Sequence, residues 1–172
     1  MNVLHDIDAG TKDEINVIIE INKGSHNKYE IDKASGLIAL DRPLHTGHPY
    51  PIDYGFVPQT HWHDGDALDV IVLTSFPLFP GCLVKVRPVA IMHMIDAGEA
   101  DEKVIAVPTS DPRWADVKDL EDINKHLIKE LTHFYMTYKN LQNKEVSITS
   151  IEGKEAAEKA FQEARDLYNA KK

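Results

Sequence analysis

The chain has 172 residues, 42% of them hydrophobic, with 28 acidic against 19 basic side chains and a net charge of −9. The length fits one domain, residues 1–172, and the negative surface disfavours nucleic acid and anionic membranes as partners. A single cysteine, Cys82, excludes an internal disulfide, and with no apolar run near the roughly 18 residues of a membrane span and no leader-like start, a cytoplasmic protein is expected.

From Asn16 to Val107 short runs rich in valine and isoleucine are separated by Gly, Pro, Asp and His clusters, the punctuation of strands. Strands are predicted over 16–21, 28–31, 36–40, 53–57, 69–73, 83–92 and 103–107, with DKASG (32–36) as a hairpin turn. After Asp119 the period lengthens. Leu120, Ile123, Leu127, Ile128, Leu131, Phe134, Tyr135, Tyr138 and Leu141 recur at helical spacing, with acids leading and Lys139 and Lys144 trailing, as the helix dipole favours. VSITSI (146–151) reads as a returning strand, and Ala156, Ala160, Phe161, Ala164 and Leu167 mark a terminal amphipathic helix. Strands first and helices after indicate an α+β fold, a small closed antiparallel barrel with helices packed outside.

Two acidic segments carry the chemistry. DGDALD holds Asp64, Asp66 and Asp69 at the mouth of a strand, and IDAGEADEKV (95–104) is read as a loop holding Asp96, Glu99, Asp101 and Glu102. Like charges are costly to crowd and to dehydrate, whereas hard divalent cations need several carboxylates from different segments. Solvated acids are the usual reading of one such loop; two beside strands favour metal binding. An EF-hand fails, because alignment on Asp64 puts Asp69 where glycine is required. The cations and phenols that an anionic substrate needs come from Lys28 and Glu30, two apart on a strand, and from Arg42, Tyr50, Tyr54, Lys103, Tyr138 and Lys139. Each has an ordinary structural reading alone, Arg42 as a turn residue and Tyr138 as part of the helix stripe. Nine histidines, including HWH at 61–63, come without accompanying cysteines, and a zinc site is not expected. No Ser-His-Asp pattern or glycine-rich phosphate loop occurs, which argues against covalent catalysis.

IIEI followed by KGSHNKYEID, then LDRPL, YPIDYGFVP, DGDALDV, GCLVKVRPV, IDAGEADEKVIAVP and HFYMTYKNL, together resemble the soluble family I inorganic pyrophosphatases over about residues 16–141. The resemblance implies a five-stranded barrel of OB-like topology that hydrolyses pyrophosphate to two phosphates with several Mg²⁺ ions, through a metal-activated water. It assigns Asp64, Asp69, Asp96 and Asp101 as metal ligands, Glu20 and Glu30 as peripheral metal-facing acids, and Asp66 as the general base. Lys28, Arg42, Lys103, Tyr138 and Lys139 correspond to phosphate ligands, and Tyr50 and Tyr54 to active-site tyrosines. The short length is similar to the prokaryotic branch, implying a homohexamer with His133 at a subunit contact. Asn22 and Ala67 stand where that family usually has proline, which bears on loop rigidity and not on ligands.

Overall fold

The computed structural model describes residues 1–171. Nine strands run β1 (Ile15–Ile21), β2 (Asn27–Ile31), β3 (Ile38–Pro43), β4 (Asp53–Phe56), β5 (Asp69–Val72), β6 (Leu83–Asp96), β7 (Glu99–Ala100), β8 (Lys103–Pro108) and β9 (Val146–Gly153). Helix α1 (Lys125–Thr137) precedes β9 and α2 (Lys154–Asn169) follows it.

Five strands form a ring of pairings, β1-β4-β5-β8-β6, with β6 returning to β1. The expectation of an all-antiparallel sheet is corrected at one pair, because β5 and β8 run parallel. A ring with an odd number of strands cannot alternate direction all the way round, so one neighbouring pair must share its direction. The parallel pair has a chemical consequence: its register sets Asp69 opposite Lys103 where the two strands begin. Outside the ring, β9 extends the sheet from β6, and β2 and β3 form a separate two-stranded hairpin.

Both faces of the ring strands are apolar, and alternate residues serve different cores, as the two-residue strand period requires. Val70, Val72, Val104 and Ala106 belong to the cluster that α2 covers with Ala157, Ala160, Phe161 and Ala164. Ile71, Leu73, Ile105 and Val107 belong to the other, which receives Leu131, Phe134 and Tyr135 of α1. Gly55 allows β1 and β4 to approach, since a Cβ there would lie 2.0 Å from the Ile18 carbonyl oxygen.

Three local expectations change. The helical stripe begins at Lys125, because Asp119 caps a 3-10 turn over Leu120–Asp122 and Ile123 is extended and buried. Asn124 then caps α1, accepting from the backbone N–H of His126 at 2.9 Å and of Leu127 at 3.2 Å. The acidic stretch 95–104 is a tight hairpin in which Glu99 and Ala100 pair back onto Asp96 and Ile95, with Gly98 at φ +83°. Arg42 lies within β3, opposite Lys28, and not in a turn.

Candidate active site

A cavity of about 510 Å³ opens between the ring, the β2–β3 hairpin and the end of α1. Its acidic floor comes from three chain segments. Asp69 opens β5, Asp101 lies two residues before the start of β8, and Asp64 lies in the turn made by Gly65 at φ +92°. One carboxylate oxygen from each of the three falls within 4.8 Å of the others. Burial raises the pKa of Asp64, and lifts Asp69 to about 6 against the opposing pull of Lys103. Glu20, on β1, is pushed to about 8, first by burial and then by the Asp69 charge, while its Oε1 accepts from the Ile31 N–H at 2.8 Å.

Lys103 stands in this floor at only 3% exposure. Its Nζ donates to the Tyr54 hydroxyl at 2.8 Å, to Asp69 at 3.0 Å and to Asp101 at 3.1 Å. Burial works against its charge, but Asp69 and Asp101 outweigh it and hold the ammonium protonated well above the ordinary lysine range. Tyr54 and Tyr50, both buried in the lining, are raised chiefly by burial and remain protonated phenols at neutral pH.

The remaining sequence-derived candidates occupy the walls and mouth. Asp96 lines the cavity apart from the three-carboxylate group and is paired with Lys139; Tyr138 lies beside them. Asp66 is half-exposed, is paired with Lys33, and directs its N–H to Asp64 at 3.0 Å. Lys28 and Glu30, on one side of β2, lie 3.3 Å apart. Arg42 is the exception, since it is not among the lining residues; its Nη1 donates to Asp41 at 2.6 Å. Asp41 also accepts from Lys28 at 3.0 Å, and although burial opposes it, Lys28 and Arg42 hold its carboxyl below the usual range. No histidine lines the cavity, and His63 is bonded instead to Glu163 at 2.7 Å.

Sequence reasoning passed over three residues here. Asp41 hides in LDRP as an ordinary turn acid, and Lys33 lies in the hairpin loop, where nothing in the sequence links it to Asp66. Tyr135 was read only as part of an apolar stripe, although its place three residues before Tyr138 puts it on the same helical face.

A five-strand ring whose cavity sets a carboxylate cluster against cations and phenols offers the donor set that a hard metal ion and a small polyanion require. A family profile described as inorganic pyrophosphatase matches residues 17–169. An inorganic pyrophosphatase of Haloferax volcanii is 47% identical over 171 residues, 98% of this chain and 97% of that one. One from Methanosarcina mazei is 48% identical over 156 residues, 91% and 92% of the two chains. The crystal structure of inorganic pyrophosphatase from Thermus thermophilus superposes with a TM-score of 0.94 at 37% identity, covering 98% of this chain and 99% of that one. The chain belongs to the inorganic pyrophosphatase family, whose members are hydrolases of pyrophosphate.

Proposed function

We propose that this chain hydrolyses inorganic pyrophosphate to two phosphates with Mg²⁺ as its cofactor, water attacking phosphorus without a covalent intermediate. The convergence of Asp64, Asp69 and Asp101 carries this reading: the three half-buried carboxylates offer oxygens within 4.8 Å of one another, and the one ammonium among them, Lys103, paired with Asp69 and Asp101, leaves the group net negative and suited to a cation. Their donor atoms are all hard oxygens, and neither sulfur nor imidazole lines the cavity, a set that suits Mg²⁺. Asp96, Glu20 and Glu30 extend the same oxygen surface for further ions. When bound, Mg²⁺ would neutralise substrate charge and lower the pKa of a coordinated water.

The protein's own groups divide the remaining work. Asp66, at the mouth and near solvent, accepts the proton of the attacking water once its carboxylate leaves Lys33. Lys103, held by Tyr54 and two aspartates, presents fixed positive charge to one phosphoryl group. Lys139 exchanges Asp96 for a phosphate oxygen, and Tyr138 donates beside it. Lys28 and Arg42, which share Asp41, form the mobile cationic side, Arg42 reaching the cavity by turning its guanidinium from Asp41 towards substrate.

The same reading takes the strand ring as a closed barrel of OB-like topology and the chain as one pyrophosphatase domain. It assigns the chain to the cytoplasm, supported by its free cysteine and by the lack, among the described residues, of a helix long and apolar enough to cross a membrane. It also takes the working form as a homohexamer, with His133 in a surface cleft beside His48 and Glu130 as a subunit contact. Phosphate release from pyrophosphate by purified protein, with Mg²⁺ and with a chelator, tests the reaction. Mg²⁺-dependent turnover that falls at least about a hundredfold in Asp66→Asn is expected. Turnover that ignores the chelator, or survives intact in Asp66→Asn, would contradict it.

A further inference from the structure

Three buried polar side-chain atoms among the described residues have no hydrogen-bond partner: Arg42 Nε, Trp114 Nε1 and the Tyr135 hydroxyl. Of the three residues, only Tyr135 lines the cavity. A hydroxyl buried without a partner is unfavourable, so a fold that keeps one next to a binding site has a use for it when the site is filled. The surroundings of Tyr135 are those of the reaction. The Lys103 ammonium lies 5.6 Å from its ring centroid, and the same ammonium is bonded to Tyr54, Asp69 and Asp101.

The ring is also held in place. Tyr135 is 1% exposed on the inner face of α1 and makes edge contacts with Phe134 at 5.3 Å and Tyr138 at 5.6 Å between centroids. Aromatic neighbours on two sides leave the phenol little rotational freedom, which fixes the hydroxyl before any ligand arrives. Asp69 and Asp101 are both bonded to Lys103, and neither accepts from the Tyr135 hydroxyl.

Given the pyrophosphatase reading above, we propose that Tyr135 is a further substrate-contacting residue, its hydroxyl donating a hydrogen bond to an oxygen of the phosphoryl group held by Lys103. Ionised phosphate oxygens accept hydrogen bonds, and a phenol is a donor that can meet them without adding charge to a site already crowded with it. The donor is unpaired in the free protein and paired in the complex, so its hydrogen bond contributes to binding and turnover and not to folding.

That asymmetry provides the test. Tyr135→Phe keeps the ring and removes only the hydroxyl. In full-length protein with Mg²⁺, kcat/KM for pyrophosphate should fall roughly tenfold or more, the scale of a hydrogen bond to a charged group. Inorganic phosphate, titrated calorimetrically in Mg²⁺, should bind more weakly by a similar factor. The melting temperature of the ligand-free variant should stay level or rise, because a buried unpaired group has been removed. An unchanged kcat/KM in the variant beside an active wild type overturns the role of Tyr135 and leaves the pyrophosphatase reading standing. A lowered melting temperature overturns it too, by showing that the hydroxyl was bonded within the fold. A wild-type chain that binds phosphate but releases none from pyrophosphate defeats the underlying reading instead.

Discussion

Lys103 on the strand ring and Lys28 on the β2–β3 hairpin serve one cavity under different constraints. Lys103 has a side chain only 4% exposed and three partners, Tyr54, Asp101 and Asp69, the last set opposite it by the parallel β5–β8 register. The Lys28 side chain is 25% exposed and shares Asp41 with Arg42 on a hairpin whose backbone pairs with no strand of the ring sheet. On the ring, charge is part of what holds the fold together; on the hairpin, it can be handed to a ligand at little structural cost. One site therefore contains a rigid electrostatic floor and an adjustable rim.

Replacing each lysine should separate these roles most widely. In metal-free protein at pH 7, Lys103→Ala should lower the unfolding free energy by about 3–5 kcal/mol, because Asp69 and Asp101 lose their buried counter-charge. Lys28→Ala should change it by less than about 1 kcal/mol while raising KM for pyrophosphate. Denaturant titration checks both, and equal losses would remove the distinction between floor and rim.

Glu20 gives a smaller effect with a defined sign. Its carboxyl is raised from 4.5 in the unfolded chain to about 8 in the fold. Between those values the unfolded chain has already lost the proton that the folded one keeps, so raising the pH through that window lowers the stability of the metal-free protein. Glu20→Gln preserves the neutral form and can still accept from Ile31. Its unfolding free energy should exceed that of the wild type by at least about 1 kcal/mol at pH 9 and match it near pH 4. Thermal melts at the two pH values measure this, and a variant less stable at pH 9 would show that the buried charge is favourable.

Asp41→Asn should have the slightest effect. It frees Lys28 and Arg42 from a part-exposed partner, so stability should move by less than about 1 kcal/mol, and KM by a few-fold. Steady-state kinetics at two salt concentrations would detect it. A stability loss as large as that of Lys103→Ala would make the rim as structural as the floor.

Much of the fold could be read from local chemistry, because Val/Ile runs and a helical apolar stripe announce elements that are buried on a regular period. What escaped reading depends on pairing at a distance. Nothing in residues 69–103 announces that β5 and β8 are parallel neighbours, a fact that follows from closing an odd ring and that brings Asp69 to Lys103. The start of α1 was misplaced because Leu120 and Ile123 fit the helical period, yet they pack from a capped turn. The acidic residues of the site were legible since crowded carboxylates stand out in sequence. Tyr135 was not, because a phenol in an apolar stripe looks like core until its hydroxyl is found without a partner.

The Mg²⁺ concentration giving half-maximal phosphate release, compared between the wild type and Asp69→Asn, tests the carboxylate floor most directly. Lys103 is also paired with Asp101, 3.1 Å away in the wild type, and an asparagine oxygen can still accept from its ammonium, so the lost charge should bear mainly on the metal. A half-saturating concentration raised by roughly tenfold or more is expected, since losing even an outer partner of a metal ligand commonly costs that much. The same Mg²⁺ requirement in both proteins would contradict a metal held by Asp64, Asp69 and Asp101.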